Sequence, residues 1–251
     1  MKISVVTAVM NGRDTLPAML QSLQMQNHTD LEHIVQDGGS TDGTLAYLKT
    51  QGHAQMALLS VPDSGIYDAI NRGIQRASGD VIGLLHADDT LTDPDVLAWV
   101  AEAMQDQAID GVYGDLQYVA RDDPTRVIRH WQAGGYSAAR LGRGWMPPHP
   151  TLYLRREVFA RAGLYDTSYR IAGDYEAMLR FLTAGQVRLG YIPRVMVRMK
   201  MGGVSNRSFA HLLRKSREDY RAIRQHGVGG VGTLMAKNLS KISQFAGRGQ
   251  V

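Results

Sequence analysis

Leu31-Glu32-His33-Ile34-Val35-Gln36-Asp37-Gly38-Gly39-Ser40-Thr41-Asp42-Gly43-Thr44 is the stretch on which the reading of this chain turns. Residues 31–36 read as a short buried strand. The next eight residues read as an acidic, glycine-rich turn that leads into a helix, with Asp42 placed as a cap. A strand that passes through such a turn into a helix is half of a βαβ unit, so its neighbours should repeat the pattern.

They do. Upstream, residues 3–9 form an apolar, β-branched run, and Leu16, Met19, Leu20 and Leu23 come next at helical spacing within 14–26. Downstream, the short helix at 44–50 is succeeded by a strand at 56–61, a helix at 67–77 with Ile70 and Ile74 four apart, a strand at 81–85, and a helix at 94–105 that opens on proline. This alternation predicts an α/β fold with a parallel sheet covered on both faces. Beyond Gly111 the regularity fades. Strands are expected at 112–119 and 126–131, an irregular Gly/Pro-rich loop at 134–150, helices at 155–162 and 174–184, and an extended segment at 187–199.

In open parallel sheets ligands sit beyond the carboxyl ends of the strands. The loop after each strand here is polar and mostly acidic: Asn11-Gly12, then Asp37 to Thr44, then Asp63-Ser64-Gly65, then His86-Ala87-Asp88-Asp89. Each motif has an ordinary alternative, a capped turn for Asp37–Thr44 and a solvated loop for Asp88-Asp89; in combination they point to a site. Carboxylates gathered at one rim repel one another unless a cation lies among them, and hard oxygen ligands favour Mg²⁺ or Mn²⁺. Such an ion can link carboxylates to a diphosphate and stabilise it as a leaving group.

With these residues in place the chain resembles the family 2 glycosyltransferases of the GT-A fold, especially bacterial enzymes that build surface polysaccharides. The resemblance covers roughly residues 1–205. It rests on residues 3–7 with Asn11, on Gln36 to Thr44, on Asp63 through Ile74, on Ala77-Ser78-Gly79-Asp80 leading to the Asp-Asp pair, and on Asp174-Tyr175-Glu176. It implies that Thr7, Asn11, Asp37 and Asp63 line a nucleotide pocket, with Asp37 near the base. It implies that Asp88 and Asp89 stand in the family's Asp-x-Asp motif, which binds metal and ribose. His86 occupies the first position of that motif, which leaves Asp88 and Asp89 as the ligands. Asp174 matches the catalytic base, although the family's preceding Glu is Gly173 here, and Glu176 is the rival carboxylate. Some relatives use a downstream histidine as a metal ligand or diphosphate contact; His149 fits that description, or is a loop histidine packed between prolines. Gly202-Gly203-Val204-Ser205 resembles a loop that closes over the donor.

The implied reaction is transfer of a sugar, with inversion, from a UDP-, GDP- or dTDP-sugar to a glycan or lipid-linked acceptor, assisted by a divalent cation. The chemistry independently asks for a carboxylate that removes the acceptor proton. The alternatives are a sugar nucleotidyltransferase, which resembles this chain less because it opens on a Gly-rich basic loop, and a non-catalytic nucleotide-sugar-binding module. A G-x-G-x-x-G match at 227–232 comes after a basic helix rather than a strand, so it does not read as a dinucleotide site.

The chain lacks cysteine, which excludes disulfides, thiolate metal sites and a cysteine nucleophile. Its start lacks a signal-peptide pattern and no apolar run is long enough to span a bilayer, so a cytoplasmic protein, peripheral at the inner face of the membrane at most, is expected. The net charge of +4 is uneven: residues 206–251 hold nine Lys/Arg against two Asp/Glu. This segment is expected to be a separate appendage, 206–251, on a 1–205 catalytic domain. It reads as two basic amphipathic helices, with Phe209, Leu212, Leu213, Tyr220 and Ile223 along the first stripe and Val231, Leu234, Met235, Leu239, Ile242 and Phe245 along the second. Those stripes suit an anionic membrane surface, docking on the catalytic domain, or a homodimer contact, and suit nucleic acid poorly.

Overall fold

The computed structural model describes residues 1–201 and 209–246. The first half matches the expected alternation: β1 (Ile3–Val9), α1 (Leu16–Gln24), β2 (Leu31–Asp37), α2 (Thr44–Gln51), β3 (Met56–Ser60), α3 (Ile66–Arg76), β4 (Val81–Leu84), then β5 (Asp89–Leu91) and α4 (Val96–Ala103). The second half comprises β6 (Gly111–Val119), β7 (Val127–Trp131), α5 (Ala138–Leu141), a 3-10 turn at His149–Thr151, β8 (Tyr153–Arg155), α6 (Arg156–Ala162), α7 (Gly173–Leu182), β9 (Leu189–Lys200), α8 (Phe209–Gln225) and α9 (Val231–Ala246).

All the strands join one sheet in the order β3-β2-β1-β4-β8-β6-β9-β5, with β7 paired to β6. The four strands from β3 to β4 are parallel, in register from Ile3 opposite both Leu31 and Val81. Their carboxyl ends therefore share one edge. Past β4 the sheet is mixed: β8 runs antiparallel to β4 and β6, and β5 antiparallel to β9. Two elements here depart from the sequence expectation. β8 has only three residues and lies just after the segment read as a loop, too short to show periodicity. The Asp-Asp loop turns directly into β5, whose first residue, Asp89, pairs with Met199 over a hundred residues away.

Alternating residues of β1 explain the two cores. Val6 and Ala8 face α3, α6 and α7, while Ile3, Val5 and Val9 face α1, α2 and α4. α8 belongs to the first core: Ala222 and Ile223 are fully buried in it. Its Glu218 carboxylate also accepts the backbone N–H groups of Ile171 and Ala172 at 2.8 and 2.9 Å, just ahead of α7. The C-terminal helices thus share the core of the preceding residues and brace the start of α7.

At the opposite, amino edge of the sheet, Glu32 links three segments. It accepts hydrogen bonds from the Ser4 hydroxyl at 2.5 Å and from the Ser78 backbone and hydroxyl at 2.8 Å each, with Lys2 at 3.3 Å. Burial alone would raise its carboxyl, but these donors outweigh it and lower the pKa from 4.5 to about 2. The charged form is therefore favoured by folding. Its stabilisation is complete above the ordinary value of 4.5 and is lost as pH falls from there through about 2. Glu32→Gln is expected to cost about 2 kcal/mol at neutral pH and to flatten this acid limb. Chemical denaturation across pH 2–6 measures both; an unchanged pH profile would refute the assignment.

Candidate active site

The loops at the carboxyl edge are tied to each other before any ligand is considered. Asn11 adopts a left-handed backbone, φ 53°. Its side-chain oxygen accepts the Thr41 N–H at 2.9 Å, and its own N–H reaches the Ser40 hydroxyl at 2.8 Å. Gly12 and Arg13 donate backbone N–H groups to Thr44 Oγ1 and Asp42. The β1 and β2 loops therefore form one unit.

Asp37 closes β2 and is fully buried. One oxygen accepts the Ser60 hydroxyl at 2.6 Å and the N–H groups of Gly39 and Ser40 at 3.1 Å each; the other accepts the Ser40 hydroxyl. Burial would raise its pKa, yet the serine and backbone donors hold it below the usual carboxylate value. Its charge shapes the turn. Asp63 stands across from that turn: one oxygen accepts the Gly65 N–H at 2.9 Å, and the other lies so close to Gly38 that a Cβ there would come within 2.3 Å of it. A side chain at position 38 would displace the Asp63 carboxylate. Thr7 lies deeper. It is fully buried, and its hydroxyl donates to the Leu85 carbonyl at 2.8 Å and contacts His33 Nε2 at 3.1 Å. Its side chain supports the strands rather than lining a cleft.

After β4 come the two acids. Asp88 is half-buried, whereas Asp89 is fully buried and, among the described residues, neither of its carboxylate oxygens has a hydrogen-bond partner. Burial, with the neighbouring Asp88 charge second, raises its pKa well above the ordinary value. A buried carboxylate without a partner is costly, and it suits a cation.

His86 bridges this loop to the second half of the chain. Its Nε2 lies 2.8 Å from His149 Nε2, and His149 Nδ1 lies 3.3 Å from Asp174. The carboxylate favours a proton on His149 Nδ1, which makes Nε2 the acceptor of a proton on His86. Burial, with the partner ring second, lowers His86 to about 3, and burial lowers His149 against the pull of Asp174. Both rings are therefore neutral at physiological pH. Both nitrogens of His149 are engaged with Asp174 and His86, so here it bridges the β4 loop to α7. Among the described residues no three His, Cys, Asp or Glu side chains converge as a metal cage.

Asp174 sits in the first turn of α7 with a quarter of its side chain exposed. Burial would raise its pKa, but His149, Lys237 and Lys215 together lower it, so the carboxylate is ionised at neutral pH. The missing acid at position 173 has a steric explanation: a Cβ on Gly173 would lie 2.7 Å from the ring of Tyr67. The Tyr67 hydroxyl takes over this corner, accepting the Gly173 N–H at 2.9 Å, donating to the Ile171 carbonyl at 2.8 Å and lying 3.5 Å from Asp174. Glu176 points the other way. It is fully buried, held by Arg180 at 3.0 Å and His226 at 2.9 Å, so it is a packing carboxylate.

Sequence reasoning singled out Asp174 and the loop acids but missed Tyr67, the His86–His149 contact and Glu218. The clue to Tyr67 was its place at the start of α3, directly after the third polar loop. No local signal marks Glu218. The loop at 202–205, which resembles one that closes over the donor, lies outside the described residues. A separate surface hollow lined by Met1, Asp80, Arg155 and Arg156 lies at the amino edge, away from these groups.

Comparison with known proteins identifies the family. Residues 4–158 match the family model for glycosyl transferase family 2. An uncharacterized glycosyltransferase of Mycobacterium tuberculosis is 34% identical over 180 residues, covering 71% of this chain and 68% of that protein. A PGL/p-HBAD biosynthesis glycosyltransferase of Mycobacterium bovis is 32% identical over 209 residues, covering 81% and 78%. Among solved structures, residues 1–349 of S. aureus TarS in complex with UDP-GlcNAc superpose with a TM-score of 0.69 at 16% identity, covering 91% of this chain and 66% of that one. The mannosyltransferase PcManGT of Pyrobaculum calidifontis, in complex with GDP-Man and Mn²⁺, gives 0.64 at 18% identity, covering 100% and 76%. The chain spans about two thirds of the TarS fragment, and these structural likenesses establish the α/β fold of the GT-A glycosyltransferases. With its polar carboxyl-edge loops and the matching family model, the chain belongs to the family 2 glycosyltransferases.

Proposed function

We propose that this glycosyltransferase moves one sugar, with inversion, from a nucleoside diphosphate sugar to a hydroxyl of a glycan or lipid-linked acceptor. The observation that carries this reading is the chain of contacts from the β4 loop through His86 and His149 to Asp174. It brings an ionised carboxylate from α7 to the edge where Asp88 and Asp89 lie. TarS and PcManGT, solved with UDP-GlcNAc and with GDP-Man and Mn²⁺, support a nucleotide-sugar donor and a divalent cation. One relative is named for PGL/p-HBAD biosynthesis, which is consistent with a role in a biosynthetic pathway.

In this reading the linked loops of Asn11, Asp37 and Asp63 hold the nucleoside, largely through the backbone of the turn that Asp37 shapes. Asp88 and Asp89 would hold Mg²⁺ or Mn²⁺, because the unpartnered oxygens of Asp89 fit a cation and two carboxylates suffice when diphosphate oxygens complete the shell. The bound ion would offset charge on the departing diphosphate. Asp174 removes the acceptor proton as the hydroxyl oxygen bonds to the anomeric carbon and the carbon–oxygen bond to the diphosphate breaks. His149, itself held by His86, fixes the orientation of Asp174.

A panel of UDP-, GDP- and dTDP-sugars with Mn²⁺ tests this. At least one donor is expected to raise the melting temperature of the purified protein, since a ligand of the folded state stabilises it, and to release its nucleoside diphosphate on turnover. A panel that neither stabilises the protein nor is turned over would overturn the proposal.

A further inference from the structure

α9 is built the wrong way round for a helix docked on a protein core. Its inner face is partly polar: Thr233 and Lys237 are buried, and Lys237 Nζ donates to Asp219 at 2.6 Å while lying 3.2 Å from the centre of the Tyr175 ring. Its outer face is apolar. Val231, Met235 and Leu239, spaced four apart, are 59, 59 and 60% exposed. Of the apolar stripe read from the sequence, Leu234 packs against the core, while the side chains of Ile242 and Phe245 lie outside the described residues.

The outward face of α8 combines apolar and cationic groups. Leu213, Arg217, Tyr220 and Arg224 succeed one another at helical spacing and are exposed, with Leu213 at 45% and Tyr220 at 37%. Arg214 is exposed as well, while Arg221 is engaged with the Ser168 hydroxyl and the Tyr169 ring beside Asp166. Both acids of α8 point inward. Asp219 is buried between Lys215 and Lys237, and Glu218 is bonded to the backbone ahead of α7. Among the described side chains of this hairpin, no exposed carboxylate offsets the arginines.

We infer that the α8–α9 hairpin docks on an anionic lipid surface, with Val231, Met235 and Leu239 entering the headgroup region and the α8 arginines meeting lipid phosphates. Exposed apolar residues beside Arg214, Arg217 and Arg224 match the chemistry of such a surface. A second copy fits less well, because a two-fold contact through this hairpin would bring like-charged arginine rows together. The inference is independent of the sugar-transfer reading, since the binding is measured without donor or acceptor.

The test uses the full chain, because α8 contributes Ala222 and Ile223 to the core. Wild type, Met235→Glu/Leu239→Glu and Arg217→Glu/Arg224→Glu are sedimented with vesicles of phosphatidylcholine alone or mixed with phosphatidylglycerol. Thermal unfolding confirms that each variant is folded. Wild type is expected to pellet only with the anionic vesicles, and less so as salt rises. Each double variant should lower that partition by roughly tenfold or more. Wild type left in the supernatant, or folded variants that bind as wild type does, would overturn the inference. So would a wild-type dimer that Met235→Glu/Leu239→Glu dissociates, since the stripe would then be covered by a second copy.

Discussion

Asp174→Asn is expected to lower kcat by roughly a hundredfold or more while leaving the KM for the donor within about twofold, the range in which a positioned general base contributes. The substitution retains the shape of the side chain and its place in the first turn of α7 but removes the negative charge. In the wild type that charge is present at neutral pH, because His149, Lys237 and Lys215 outweigh the effect of burial. The contact with His149 Nδ1 at 3.3 Å would persist as a weaker interaction, so the amide would sit where the carboxylate sat. The loss would then report the proton transfer rather than a displaced helix. Donor binding is expected to change little, because the loops after β1 and β2 hold their shape through bonds to each other. Glu176→Gln is the control. Glu176 is fully buried against Arg180 and His226, so its change should lower the melting temperature more than it lowers kcat. A fully active Asp174→Asn alongside a folded, inactive Glu176→Gln would transfer the base to the other carboxylate.

The legible parts of this molecule were those written in local pattern. β1 to α4 alternate apolar runs of strand length with amphipathic helices, and the structure places each within a few residues of expectation. The acidic loops were legible because each comes directly after its strand, so parallel pairing alone brings Asn11, Asp37, Asp63 and Asp88 to one edge. The features that local pattern could not disclose depend on distant partners. β5 is three residues long and exists because Asp89 pairs with Met199. β8 is equally short, and it turns the sheet from parallel to mixed. His86 and His149 each look like isolated loop histidines until the fold brings their rings together. The C-terminal segment shows a different limit. Its helices were amphipathic on paper, but amphipathicity leaves open which face is buried, and α9 buries Lys237 because Asp219 and Tyr175 await it.

Asp89→Asn should move activity and stability in opposite directions. Both oxygens of Asp89 are buried without a partner among the described residues, and the pKa is raised well above its usual value. A raised carboxyl pKa means that folding favours the protonated form. Stability linked to this group is therefore fully present below the ordinary carboxylate value of 3.8 and is lost as pH rises through the higher folded value. Above that, the metal-free wild type bears the cost of an uncompensated buried charge. The neutral amide removes the charge at nearly constant volume, so Asp89→Asn is expected to be about 1–3 kcal/mol more stable than wild type above the folded pKa and to lack this pH dependence. Adding Mn²⁺ with a nucleoside diphosphate should stabilise wild type, whose carboxylate gains a partner, and should stabilise the variant far less. Turnover by Asp89→Asn should fall by roughly a hundredfold or more, as expected when charge on a leaving diphosphate loses several kcal/mol of stabilisation. Such a pairing of gain and loss is typical of residues kept for function at the expense of the fold. Denaturation curves across pH, with and without Mn²⁺ and nucleotide, separate the two effects. A variant that is both less stable and fully active would show that Asp89 is a structural carboxylate and that the cation, if one is used, is held elsewhere.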